Sequence, residues 1–353
     1  MQPEPPHTLI TTLGECRIPS PVSKRGQGTH SISFVSDEDR ILIDVNVNRA
    51  CLQRADGSIP PSYEQAGPRS HIFFDPSKLK CALVMCGGLC PGLNDLIRSI
   101  VLELHYGYGV RNIFGVRYGL RGFIPRYGYD LMELTPNAVL NIHERGGTLI
   151  GSSRGPQDIE EIVDTLERTG IGILFMIGGD GTLQAATSIA DTALKRGLRI
   201  SVVGLPKTID NDIFMVSRSF GFDTAVDVST RAIVSASNEA EGYPNGIGLI
   251  KLMGRHSGFI AATATLAQQD VNYVLIPEVD FDLDGPKGLL STLEIRLVER
   301  GHAVIVVAEG AGQKFFEHEE SELDPSGNIK LKDIGMFLKQ KIQAHFEARQ
   351  IQI

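Results

Sequence analysis

The sequence holds 353 residues, of which 42% are hydrophobic and 22% charged, with a net charge of −8. That length fits two sizeable cores. The acidic balance argues against a general nucleic-acid binder but leaves room for an anionic small molecule at a local Arg and Lys cluster. The sequence has no run of 18 or more apolar residues of the kind that spans a membrane, and the first twenty residues carry acids and prolines where a secretory signal has a basic start and an apolar stretch.

In chain order, residues 1–79 are rich in Pro, Ser, Gly and Asp. They contain one strand candidate, 40–46 (RILIDVN), and read as an extension packed on the core or crossing to a partner. From Lys80 the pattern becomes regular. Apolar runs at 81–86, 112–117, 171–177 and 200–204 alternate with helical spacing at 95–108, 158–168 and 183–196. A long helix at 224–239 opens a second series, with strands at 247–252, 273–276 and 303–308 and helices at 257–267, 287–300 and 331–350. Strands alternating with helices imply parallel sheets with both faces covered. The expected fold class is α/β: two Rossmann-like three-layer α/β/α domains with mostly parallel sheets, at 80–220 and 221–353, plus the N-terminal extension 1–79. Five cysteines (16, 51, 81, 86 and 90) form an odd, scattered set in a large chain. They read as reduced fillers of a cytoplasmic protein, not as a disulfide framework or a zinc site.

Four polar turns each follow a predicted strand, where open α/β sheets bind ligands. The first is CGGLCPGLN at 86–94. Its glycines let the backbone approach a ligand, and the next helix presents its N-terminal amides to an anion. The second, Gly178-Gly179-Asp180-Gly181-Thr182, brings the chain close to phosphate. There Asp180 can hold Mg²⁺ on a polyphosphate, or alternatively cap the helix that follows. The third, Leu205-Pro206-Lys207-Thr208-Ile209-Asp210-Asn211-Asp212, gathers two carboxylates, an amide, a hydroxyl and an ammonium. One carboxylate can take a proton from an attacking hydroxyl as general base. The other can help place a metal, and Lys207 can stabilise charge on a transferred group. The fourth, Lys251-Leu252-Met253-Gly254-Arg255-His256-Ser257-Gly258, offers the Arg255 guanidinium to a phosphate. His256, and His143 in HERGGTLIGSSR, read as packing or hydrogen-bonding residues.

Together these segments resemble the phosphofructokinase family. The residues that carry the resemblance are GGLCPGLN (87–94), GGTLIGSSR (146–154), GGDGT (178–182), PKTIDND (206–212), MGRHSG (253–258) and PEVDF (277–281), covering about 80–313. GGLCPGLN and PKTIDND are closest to the long-chain branch of plants and trypanosomatids, which also carries N-terminal extensions and includes pyrophosphate-dependent enzymes. The resemblance implies phosphoryl transfer from ATP to the 1-hydroxyl of fructose 6-phosphate in glycolysis, with Mg²⁺ as cofactor and assembly as a homodimer or homotetramer. It makes 80–220 the phosphoryl-donor domain and 221–353 the fructose 6-phosphate domain. It places Gly87, Arg154, Gly179, Asp180, Gly181 and Thr182 at the donor, with Asp180 as the metal residue. Asp210 is implied as the base, with Lys207 and Arg255 beside it in the catalytic set. Thr208, Asp212, Met253, Gly254, Arg255 and Glu309 are implied around the transferring group and the sugar. Asp210 need not have a raised pKa for this; it must be ionised and within hydrogen-bond reach.

Gly181 favours ATP, because pyrophosphate-dependent relatives typically carry Asp there, crowding the α-phosphate of a nucleotide. Lys207 pulls the other way, although ATP-dependent long-chain members keep it. Gly246 stands where short bacterial members place an arginine that reaches a neighbouring subunit. Family members continue past position 353 into a segment whose histidine and arginines bind the sugar 6-phosphate, so the 221–353 domain is expected to be truncated at its C-terminus. Losing those contacts should cost roughly 1.5–3 kcal/mol for each bond to a charged group. The alternatives are a pyrophosphate-dependent enzyme, a kinase of the wider GGDGT group acting on NAD or a lipid, and a shortened, non-catalytic regulatory paralogue.

Overall fold

The computed structural model describes residues 8–26, 32–43, 60–318, 322–323 and 329–353. The chain divides into two units: Met1–Cys86, Leu93–Ile177 and Gly181–Leu205 form the first, and Gly87–Gly92, Gly178–Asp180 and Pro206–Ile353 the second.

Two short antiparallel pairs precede the first large sheet. β1 (Ile18–Pro19) pairs with β4 (His71–Ile72), and β2 (Arg40–Leu42) pairs with β3 (Ser62–Glu64). The strand expected at 40–46 is thus seen over its first three residues; 44–46 lie outside the described residues.

The first unit is built on a five-stranded sheet of order β7-β6-β5-β8-β9. These are β5 (Lys80–Met85), β6 (Asn112–Val116), β7 (Met132–Glu133), β8 (Ile173–Gly178) and β9 (Ser201–Pro206). Strand β5 lies between two parallel partners, with Cys81 level with Ile113 on one side and Ile173 on the other. Every side chain from Cys81 to Met85 is fully buried. This explains why the strand reads as an unbroken apolar run: in a parallel sheet covered on both sides, neither set of alternate residues meets water. Three helices follow the expected positions: α1 (Leu93–Leu102), α2 (Ile159–Thr169) and α3 (Asp180–Lys195). Helix α2 begins where Asp158 accepts from the amides of Glu160 and Glu161. Its Ile162 and Leu166 join Ala82, Val84, Met176 and Ile189 in one cluster. The sequence reading carried α1 on to 108; the helix instead changes to a π turn over Glu103–Gly107. It also gave no strand at β7, which closes one edge antiparallel to β6 and is too short for an alternating pattern to register.

The second unit carries a three-stranded parallel sheet, β10-β12-β11, from β10 (Gly246–Leu252), β11 (Tyr273–Leu275) and β12 (His302–Ala308). Central strand β12 is fully buried from Ala303 to Ala308. Its alternate residues go to opposite layers. Val304, Val306 and Ala308 pack with Phe222, Ile233, Ile260 and Ala264, from α4 (Phe222–Glu241) and α5 (Phe259–Ala267). Ala303, Ile305 and Val307 pack with Leu293, Leu297, Leu338, Ile342 and Phe346, from α6 (Leu289–Arg300) and α7 (Ile334–Ala348). This is an α/β/α sandwich, and its polar turns lie where β10 and β12 end.

Candidate active site

The loop after β9 has a fixed shape built from its own polar residues. Asn211 sits in the left-handed region (φ 54°) with its side chain turned inward. Its Nδ2 donates to the Ser217 carbonyl (3.2 Å), and its Oδ1 accepts from the Ser219 amide (2.8 Å). The buried Ser219 hydroxyl donates to the Thr208 carbonyl (2.5 Å). Thr208 Oγ1 donates to Asp212 Oδ1 (3.0 Å) and accepts from the Asp210 amide (3.2 Å). A loop whose polar groups bond one another is pre-organised, and this is the main thing phosphoryl transfer asks of a protein.

Asp210 is the electrostatic centre of that loop. Burial pushes its carboxyl above the ordinary range, and the charges of Asp212 and then Glu309 push the same way. The Arg255 backbone N–H, donated to the carboxylate, and the Arg255 charge pull it down. Among the described residues, the buried Oδ1 has no hydrogen-bond partner. An unpaired, partly desolvated carboxylate oxygen is costly to maintain and suited to accepting a proton. The sequence did not require the upward shift; it arises because Glu309 and Asp212 converge on Asp210 and burial removes water.

Lys207 is buried, only 5% exposed. Its amide donates to the Gly178 carbonyl (2.8 Å) and its Nζ to the Gly88 carbonyl (2.5 Å). The segments Gly87–Gly92, Gly178–Asp180 and the loop from Pro206 are thereby joined within one unit. Gly87, at φ 81°, has Lys207 Nζ 3.4 Å from where a Cβ would stand. Nearby Cys90 has its thiol pushed up by burial and partly drawn back by the Lys207 charge.

The turn after β10 also reaches Asp210. Ser257 is buried, and its hydroxyl donates to the Asp210 carbonyl (2.8 Å). The turn is stitched to the end of β12 by Glu309 N–H to Leu252 (2.9 Å) and Gly310 N–H to Gly254 (2.9 Å). A Cβ at Gly310 would collide with the Arg255 carbonyl, so the two turns approach as only glycine allows. The Arg255 guanidinium donates through Nη2 to the Ile329 carbonyl (2.6 Å). Met253 is half exposed, and the buried Gly254 adopts φ 128°.

Asp180 opens α3 with an exposed side chain. Among the described residues, no three His, Cys, Asp or Glu side chains group as a metal site. One carboxylate fits a magnesium ion that keeps waters and substrate phosphates as its other ligands. Gly181, Thr182 and Arg154 belong to the first unit. A Cβ at Gly181 would meet nothing within 4 Å, Thr182 is buried and Arg154 exposed. His143 and His256 are both exposed.

Asn211, Ser219 and Ser257 hold these loops, and the sequence assigned none of them that role. Their types are ordinary in turns, and only their partners give them away. Ser219 also lines a cavity of about 350 Å³ with Gly92, Arg218, Phe220, Asp223 and Thr224.

Comparison with known proteins gives the family. A family profile described as Phosphofructokinase matches residues 80–353. The chain is 48% identical over 349 residues to the ATP-dependent 6-phosphofructokinase of Borreliella burgdorferi, covering 97% of this chain and 77% of that protein. It is 47% identical over 316 residues to ATP-dependent 6-phosphofructokinase 7 of Arabidopsis thaliana, covering 89% and 63%. To the ATP-dependent 6-phosphofructokinase of Trypanosoma cruzi it is 46% identical over 281 residues, covering 80% and 57%. The fold is similar to that of the crystal structure of pyrophosphate-dependent phosphofructokinase from Marinobacter aquaeolei, with a TM-score of 0.60 at 21% identity over 75% of this chain and 65% of that one. With the matched residues running from β5 through α7, the chain belongs to the phosphofructokinase family.

Proposed function

We propose that this chain is an ATP-dependent 6-phosphofructokinase, transferring the terminal phosphoryl group of ATP to the 1-hydroxyl of fructose 6-phosphate to give fructose 1,6-bisphosphate and ADP. The observation that carries the reading is Asp210: its carboxylate accepts from the Arg255 amide and keeps one buried oxygen without a partner among the described residues, while its backbone carbonyl accepts from the Ser257 hydroxyl. The relatives' names supply the substrates.

In this reading Asp210 accepts the proton of the 1-hydroxyl as that oxygen attacks. Thr208 and Asp212, already bonded to each other, orient the transferring group. Lys207 holds the Gly-rich turn by its carbonyl, fixing the backbone that faces the donor phosphates. Gly87, Gly179, Gly181, Thr182 and Arg154 serve the donor; Met253, Gly254, Arg255 and Glu309 serve the sugar phosphate. Asp180 would hold a magnesium ion, which when bound neutralises charge on the polyphosphate. A cytoplasmic location and assembly as a dimer or tetramer belong to the same proposal; light scattering of the purified protein reads the latter.

A coupled assay of ADP formation with fructose 6-phosphate, run beside a pyrophosphate arm, tests the proposal. Turnover with ATP is expected. Turnover confined to pyrophosphate, or none with either donor, would overturn it.

A further inference from the structure

Glu278, in the PEVDF segment, has no role in the proposed chemistry, yet both its carboxylate oxygens accept from the Gly258 amide, at 2.8 and 3.0 Å. Gly258 precedes α5, and no side chain at that position caps the helix. Glu278 supplies a carboxylate there from another segment, where first-turn amides without an intrahelical partner favour negative charge. The approach is close: a Cβ at Gly258 would collide with the Ile276 side chain and stand 2.9 Å from Glu278 Oε2.

The residues just before this anchor touch the base twice. The Ser257 hydroxyl donates to the Asp210 carbonyl at 2.8 Å, and the Arg255 amide donates to the Asp210 carboxylate. We propose that Glu278 is a positioning residue for Asp210, holding the 255–258 turn so that its amide and hydroxyl keep the base in place. The inference rests on the function proposed above and deepens it.

The largest charge effects on Asp210 come from Asp212 of its own loop, Glu309 at the end of β12 and Arg255 of the turn after β10. This separates two roles by sign. If Glu278 acted through its charge, removing that charge would lower the Asp210 titration midpoint, in Glu278→Ala and Glu278→Gln alike. If it acts by holding the turn, Glu278→Ala weakens the Arg255 amide bond and raises the midpoint. Glu278→Gln, whose amide oxygen still accepts from Gly258, stays close to the parent.

The test uses the full chain with Glu278→Ala, Glu278→Gln and Ser257→Ala, each checked for folding by thermal unfolding. The Asp210 carboxyl is followed by ¹³C titration, assigned by its loss in Asp210→Asn, and kcat and KM are measured from acid to neutral pH. In Glu278→Ala, kcat is expected to fall about ten- to a hundredfold, as for a small displacement of a reacting group. KM for ATP should stay within about twofold, and both midpoint and acid limb should move to higher pH. Glu278→Gln should restore most of kcat. An unmoved midpoint and kcat in Glu278→Ala, or a midpoint lowered in both variants, would overturn the proposal. Should Glu278→Ala not fold, Ser257→Ala carries the same test: a raised midpoint supports the turn's role and an unchanged one refutes it. Because the titration needs no turnover, an inactive parent with the expected midpoint shift would sink the functional reading while leaving the positioning role standing.

Discussion

Replacing Asp210 with Asn should separate activity from stability in opposite directions. Asn keeps the shape and the side-chain carbonyl that accepts the Arg255 amide, but it cannot take a proton. A positioned general base contributes about 10²–10⁴-fold to a rate, so kcat should fall by that factor, equivalent to about 2.7–5.5 kcal/mol of barrier. Stability should not fall with it. Burial and the charges of Asp212 and Glu309 hold the Asp210 carboxyl above its unfolded value of about 3.9. A carboxyl raised in the folded state contributes stability that is fully present below the unfolded pKa and lost as pH rises through the folded one. At pH 7 the native protein therefore carries an unfavourable charge that Asn removes. The unfolding midpoint of Asp210→Asn should equal or exceed that of the parent at pH 7, and the difference should vanish toward pH 4. Steady-state kinetics and denaturant melts at the two pH values measure both effects. Turnover within a few-fold of the parent would remove the base; an Asn variant clearly less stable at pH 7 would refute the electrostatic account.

Asp212→Asn should move the acid limb of kcat to lower pH, because it removes a charge that raises Asp210; a limb displaced upward would contradict this. Gly181→Asp should leave folding intact, since its Cβ has open space and an acid near a helix start is tolerated. It should depress ATP use relative to pyrophosphate; equal loss with both donors would undo the steric explanation of donor choice. Cys81 is fully buried, with its thiol pushed up to about 12 by burial, whereas Cys16 is exposed. Alkylation at pH 8 read by mass spectrometry should label Cys16 in the native protein and Cys81 only after unfolding.

The sequence by itself determined the local elements and the order of the chemical loops. Apolar runs such as 81–86 and the 3.6-residue spacing of 158–168 are properties of neighbouring residues, so the longer strands and the helices around both large sheets were legible before any contact was known, while the two-residue β7 was not. Glycine-rich turns at fixed positions after those strands marked the polar loops for the same reason. What only the tertiary structure decided depends on residues far apart in the chain. Lys207 was legible as an ammonium able to stabilise a transferred group, but its burial and its hydrogen bond to the Gly88 carbonyl were not. The upward shift of Asp210 comes from burial and from Asp212 and Glu309, and its fixed position from Arg255 and Ser257. Glu278 stood out only as part of PEVDF, and its hydrogen bond from the Gly258 amide exists only in the fold. Spacing along a chain encodes which element forms, but electrostatic and hydrogen-bond energies depend on distance and water exclusion in space, and those exist only once the chain has folded.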